Sequence, residues 1–158
     1  MIKKILIPVL LAILITQLII GTALVTSESM ESFLLKGSMI LIWKFPYLIQ
    51  NKMPQKSEVI CFRLQNEPNL QIKRVIGTSG DHIQFQNGKV YLNGDLMEEP
   101  YLSADMKTLG TNANEYDVPG NCVFVMGDNR TNSSDSRSYS NPYIPVQDIK
   151  GKYICTLW

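Results

Sequence analysis

Asp81-His82-Ile83-Gln84-Phe85-Gln86-Asn87-Gly88-Lys89-Val90-Tyr91-Leu92-Asn93-Gly94 decides the fold of this chain. Ile83 and Phe85 alternate with polar neighbours, the period of a half-buried strand. Asn87-Gly88 and Asn93-Gly94 are turn dipeptides that tolerate positive φ, and between them they bracket the strand-like Lys89-Val90-Tyr91-Leu92. Two such turns around one short strand are a strong hairpin signal.

Working outward, the same texture recurs. Residues 38–45, 58–64 and 71–77 read as strands upstream, and residues 122–126 and 151–158 close the set downstream. Residues 102–115, with Gly110 and many polar side chains, read as a loop. No long stretch after Val25 carries helical periodicity, so an all-β domain is expected, with residues 151–158 tied into the sheet. There is no internal repeat, low-complexity tract or second-domain linker.

Residues 5–25 are different. They form 21 consecutive residues without a charge, enough for a helix to span a hydrocarbon core. Pro8 falls in the first turn, where a missing backbone donor costs little. Lys3 and Lys4 precede the run, which predicts a single-pass anchor with its N-terminus in the cytoplasm and the following domain outside. A cleavable signal peptide is the competing reading, since Gly21-Thr22-Ala23 offers small residues at a cleavage site; the length of the run favours the anchor. The expected division is residues 1–25 as cytoplasmic N-terminus and anchor, and residues 26–158 as extracytoplasmic domain.

The bulk numbers exclude some functions. The chain has 158 residues and a net charge of +1 with no basic block, which disfavours nucleic acid as a partner. One histidine and three scattered cysteines give no zinc-ligand spacing, so no metal is expected. Cys61, Cys122 and Cys155 each sit in apolar, strand-like context and read as buried structural thiols.

Immediately after the apolar run comes Val25-Thr26-Ser27-Glu28-Ser29-Met30-Glu31, with two hydroxyls where the chain would leave the bilayer. A hydroxyl becomes a nucleophile only when a base takes its proton. Two downstream segments offer a base and its supporters: Ile72-Lys73-Arg74-Val75-Ile76-Gly77-Thr78-Ser79-Gly80-Asp81 and Gly127-Asp128-Asn129-Arg130-Thr131-Asn132-Ser133-Ser134-Asp135-Ser136-Arg137. Strand alternation sends Lys73 and Val75 to one face and Ile72 and Arg74 to the other. An apolar setting for Lys73 would lower its pKa, while Arg74 reads as structural. His82 adjoins Asp81, but neighbours on a strand face opposite ways, so Asp81 is badly placed to orient it and His82 reads as a satisfied or exposed turn residue.

Together these segments resemble the type I (leader) signal peptidases of bacteria, nearly end to end. The Ser-x-Ser-Met-x-Pro block of that family reads Ser27-Glu28-Ser29-Met30-Glu31-Ser32 here, and the Lys-Arg-Val-Ile-Gly-x-Pro-Gly-Asp block is residues 73–81 with Ser79 for the proline. The Gly-Asp-Asn-Arg-x-Asn-Ser-x-Asp-Ser-Arg block is intact at residues 127–137. Ser38-Met39 is a second Ser-Met pair, but it falls on the strand after the nucleophile block, where the family has Gly-Asp-x. Glu28, Ser32 and Ser38 depart from the family pattern.

The resemblance implies a membrane-anchored β-rich catalytic domain that cleaves signal peptides from exported preproteins with a Ser/Lys dyad and no cofactor. It implies Ser29 as nucleophile, Lys73 as general base and Ser133 as the hydroxyl orienting the lysine amine. Ser27 and the Ser29 backbone N–H would form the oxyanion hole, and their even spacing on an extended backbone would aim Ser27 and Ser29 to one side. Asp135 and Arg137 would be a supporting ion pair. Val25, Met30, Leu34 and Ile72 would line shallow pockets for small substrate residues. The implied partners are preproteins and membrane lipid. The rival readings are a specialised or non-catalytic relative serving one exported substrate such as a pilin, and a LexA-like self-cleaving regulator. The latter would need a DNA-binding domain where the apolar run stands.

Overall fold

The computed structural model describes residues 2–48, 52–65 and 67–158; Met1, at the start of the expected cytoplasmic segment, lies outside the described residues. Helix α1 (Ile2–Ile19) leads into strand β1 (Ile20–Leu24), followed by β2 (Met39–Trp43) and a single helical turn α2 (Phe45–Leu48). Then come β3 (Val59–Phe62), β4 (Gln71–Thr78), β5 (His82–Gln86), β6 (Lys89–Leu92), β7 (Asp95–Leu96), β8 (Glu115–Asp117), β9 (Cys122–Met126), β10 (Ile144–Pro145) and β11 (Ile149–Thr156). Seven strands form one sheet in the order β1-β2-β11-β3-β4-β9-β10, and four form a second in the order β7-β6-β5-β8.

The apolar run is the first correction to the sequence reading. Its helix ends at Ile19, and the residues expected to continue it form β1, paired antiparallel with β2 from Ile20↔Trp43 to Leu24↔Met39. The physical cause is a partner. Ile20-Gly21-Thr22-Ala23-Leu24 finds ladder hydrogen bonds along β2, and the helix terminus is closed by Lys44, whose Nζ donates to the Gln17 carbonyl and whose N–H donates to that of Ile19. At 18 residues the helix is about 27 Å long, short of the roughly 30 Å hydrocarbon core. Among the described residues no helix is long and apolar enough to cross a membrane.

The all-β expectation for the rest holds. Asn87 and Gly88 carry φ of 53° and 76°, the left-handed values a two-residue hairpin turn requires, and they join β5 to β6 with Gln86 opposite Lys89. Asn93 and Gly94 repeat the device between β6 and β7. The strand expected over residues 38–45 stops at Trp43, because Phe45 opens α2. The short strands β8 and β10 were not legible as strands in the sequence.

Strand alternation distributes the core. Val75, Val123 and Val125 pack with Ile60, Phe62, Ile144 and Ile149. Ile76, Phe124 and Met126 instead meet Ile83, Phe85, Val90, Tyr116 and Val118 of the second sheet. The Tyr116 and Phe124 rings lie 4.7 Å apart across that junction. A third cluster joins Val25, Met30 and Leu34 to Ile40, Ile42, Val59 and Cys61. The sequence reading of the thiols holds only for Cys61. Cys122 is half-buried and Cys155 is exposed, because β11 shifts register between Tyr153 and Cys155 and its last residues run out along β2 alone.

Candidate active site

Ser29 lies in the connection between β1 and β2. Val25 N–H donates to the Ser38 carbonyl at 2.9 Å and Gly37 N–H to the Val25 carbonyl at 2.8 Å, which closes the neck of this loop. Inside it the backbone is not extended, as the even spacing of Ser27 and Ser29 suggested. It bends at Ser27 and Glu28 and then turns, with Glu31 N–H bonded to the Glu28 carbonyl and Leu34 N–H to that of Met30. The turn is favoured because it drives Met30 and Leu34 into the third core cluster. The two hydroxyls still meet, with Ser27 Oγ 3.2 Å from Ser29 Oγ.

Lys73 comes from the open edge of β4. β9 joins β4 only from Met126↔Arg74 onward, so Lys73 and Ile72 have β3 as their strand neighbour. Lys73 is 2 % exposed, and its Nζ donates to Ser29 Oγ at 2.8 Å and to the Ile72 carbonyl at 3.2 Å. Burial pushes its pKa down to about 8 against the opposing pull of the Asp135 and Glu67 carboxylates. An amine with that pKa is neutral in roughly a tenth of molecules at pH 7, against fewer than about one in a thousand for an ordinary lysine, and the neutral form can take a proton from a hydroxyl.

The loop after β9 forms the floor. Asp135 and Arg137 make a buried bidentate ion pair, with Nε–Oδ1 at 2.9 Å and Nη2–Oδ2 at 2.8 Å. Asp135 also accepts the Gly127 N–H at 3.0 Å. Arg137 and these donors hold the Asp135 carboxyl below its usual range despite burial. Gly127 is in turn packed against the Ser29 carbonyl and the Ser133 hydroxyl, so closely that any Cβ there would overlap both. Asn129 ties the two loops together: its N–H donates to the Ser29 carbonyl at 3.0 Å and its side-chain amide to the Glu28 carbonyl at 3.1 Å.

Of the residues singled out in the sequence, Ser27, Ser29 and Lys73 converge, as do Asp135 and Arg137. Val25, Met30 and Leu34 share one buried cluster, with Ile72 packed against it. Ser133 differs. Its Oγ is buried beside Gly127 and makes no hydrogen bond to Lys73; among the described residues it meets no partner in good hydrogen-bond geometry, although it lies near enough to the Asp135 carboxylate to help lower its pKa. His82 pairs at 2.6 Å with Asp117 on the neighbouring strand, while Asp81 accepts from the backbone and hydroxyl of Thr78. Arg74 turns away from the dyad to a buried bidentate pair with Asp128, its guanidinium 4.0 Å from the Tyr101 ring centroid. The sequence reading missed Gly127, Glu99 and Thr108. A turn dipeptide hides a packing role for the first, Thr108 stood in a segment that reads as a loop, and Glu99 was assigned to no element.

The chain is similar to known proteins over most of its length. A family model described as signal peptidase, peptidase S26, matches residues 1–158. The chain is 36% identical over 144 residues to a signal peptidase I of Bacillus amyloliquefaciens, covering 86% of this chain and 75% of that one. It is 31% identical over 182 residues to a signal peptidase I of Pseudomonas aeruginosa, covering 91% of this chain but 64% of the longer relative. A crystal structure of a signal peptidase I from Enterococcus faecalis V583 superposes with a TM-score of 0.51 at 26% identity, over 64% of this chain and 97% of that one.

Proposed function

The chain belongs to the signal peptidase family, peptidase S26, as a serine endopeptidase that cleaves signal peptides; from that premise we propose that Ser29 and Lys73 carry the reaction at a membrane surface. The observation that carries this reading is the buried Lys73 amine 2.8 Å from the Ser29 hydroxyl. Neutral Lys73 takes the Ser29 proton as Oγ attacks the scissile carbonyl, and the resulting ammonium returns that proton to the leaving amine. The Ser29 N–H and the Ser27 hydroxyl stabilise the developing oxyanion. The acyl-enzyme is then hydrolysed by a water that the same lysine deprotonates. Asp135 and Arg137 hold the Gly127 backbone against the nucleophile, and Ser133 orients the amine in the substrate complex.

The substrate is an exported preprotein whose extended cleavage segment pairs with the open edge of β4. Val25, Met30, Leu34 and Ile72 read small side chains there. We read α1 as the anchor that holds residues 26–158 outside the cytoplasmic membrane, with Lys3 and Lys4 inside, its shortfall against the hydrocarbon core being met by local thinning of the bilayer. Exposed Leu24, Leu35, Leu157 and Trp158 beside the nucleophile loop support contact of that face with lipid. The deciding experiment incubates detergent-solubilised protein with a panel of preproteins and sequences the new N-termini. Cuts following alanine-like residues at the first and third positions are expected. Ser29→Ala abolishes processing and Ser38→Ala does not, since Ser38 precedes β2 and serves the nucleophile loop through its backbone carbonyl, which the substitution keeps. An active Ser29→Ala protein beside a folded, inactive Ser38→Ala protein would overturn the assignment.

A further inference from the structure

Three arginines support the catalytic loop, and one loop of the second sheet touches all three. Arg74 holds Asp128, and the Tyr101 ring lies 4.0 Å from its guanidinium. Arg137 holds Asp135, and it donates to the Leu109 carbonyl at 3.3 Å. Arg130 donates from Nε to the Gly127 carbonyl at 3.0 Å, and its other nitrogens are taken by Glu99 and Thr108. Arg130 is buried, as is Thr108, and the Glu99 carboxylate that pairs with it is only 11% exposed.

These contacts frame Gly127. Its N–H is held by Asp135 and its carbonyl by Arg130, while Arg137 bonds the Arg130 carbonyl at 2.9 Å and closes the ring. Gly127 has no room to move on its other side, where it meets the Ser29 carbonyl and Ser133 Oγ. A buried guanidinium keeps its direction only while its charge and donors are matched. Glu99 supplies the charge and Thr108 a further acceptor.

We propose that Glu99 is a positioning residue for the Ser/Lys centre, acting through Arg130 on the Gly127 backbone, and that residues 99–109 are the strap that locks the catalytic loop. The inference rests on the Ser29/Lys73 reading for its kinetic consequence but not for its structural one. In a Glu99→Gln protein Arg130 loses its counter-charge and releases the Gly127 carbonyl. The wall beside Ser29 and Ser133 then loosens, and water reaches the Lys73 amine.

The test uses the full chain in detergent, labelled with 13Cε-lysine, so that the Lys73 titration is followed by NMR independently of turnover. In Glu99→Gln the Lys73 titration moves to higher pH, toward that of a solvated lysine. The acidic limb of kcat/KM for a preprotein moves with it, and kcat falls by about tenfold or more with KM little changed. Glu99→Asp, which keeps the charge, recovers part of both. Thr108→Val, nearly isosteric, shifts the Lys73 titration the same way by less, and it decides the matter alone if Glu99→Gln does not fold. In the Arg130→Gln background, Glu99→Gln adds no further loss. An unmoved Lys73 titration in both Glu99→Gln and Thr108→Val overturns the proposal, whatever happens to thermal stability. A wild-type chain that cuts no preprotein counts against the proposed function and leaves the titration result standing.

Discussion

Lys73 is 2 % exposed, and at neutral pH its amine must either lose its proton or remain charged away from water. Burial moves its pKa from 10.5 to about 8. The folded state therefore binds fewer protons than the unfolded chain between about pH 8 and 10.5, so stability rises with pH across that window, and below it the full burial penalty is present. Replacing the lysine by an apolar side chain of similar length removes that penalty. Lys73→Met is expected to be inactive yet more stable at pH 7, by up to about 3 kcal/mol, read as a higher urea midpoint with unchanged slope. A Lys73→Met protein less stable than wild type would mean that the lysine is held by favourable contacts that outweigh its desolvation. Activity of the wild-type chain should rise with pH through about 8. A limb near pH 6.5 would instead track an ordinary histidine.

At the scale of single elements, the strands sort the three thiols. Cys61 sits in β3, fully buried between core side chains, and burial pushes its thiol up to about 12. Cys155 lies past the register shift in β11, on the exposed last stretch of the strand. Only the thiolate reacts, and only where reagent reaches it. Brief maleimide treatment of the native protein, followed by peptide mass spectrometry, should modify Cys155 and spare Cys61 until the chain is unfolded. Rapid native labelling of Cys61 would show that β3 is not held between β11 and β4 as described. The β5–β6 hairpin illustrates the opposite relation between sequence and structure. Its two turn residues dictate left-handed backbone locally, so nothing distant was needed to place it. Cys155 carries the same apolar, strand-like signature as Cys61, and only its position beyond the shift in β11 separates them.

For the whole molecule, the two sheets share the cluster around Phe124, Tyr116 and Ile83, so the strap over residues 99–109 is carried on a body packed against the catalytic sheet. The proposed orientation places that body outside the cytoplasm, with α1 and the apolar side chains near Ser29 turned to lipid. Protease added to intact spheroplasts expressing the chain is expected to digest residues 27–158. Full protection of the domain, with digestion restored on lysis, would reverse the orientation.

What the sequence determined by itself was local or motif-borne. The hairpin follows from Asn-Gly turns, the strands from alternation and β-branched runs, and the identity of Ser29 and Lys73 as candidates from blocks of residues in a fixed order. Even the opposite directions of Lys73 and Arg74 follow from the two-residue strand period. Tertiary structure decided everything that depends on which strand lies beside which. An uncharged run reads alike as helix or buried strand, and the ladder offered by β2 turned Ile20–Leu24 into β1. Ser29 and Lys73 are 44 residues apart, and they meet because β11, the last strand, inserts between β2 and β3 and fixes the distance from the nucleophile loop to the edge of β4. Thr108 stood in a segment that reads as a loop, and the sequence assigned Glu99 to no element. Thr108 is buried and Glu99 is largely covered because Arg130, distant in sequence, has a charge that the interior cannot leave unmatched.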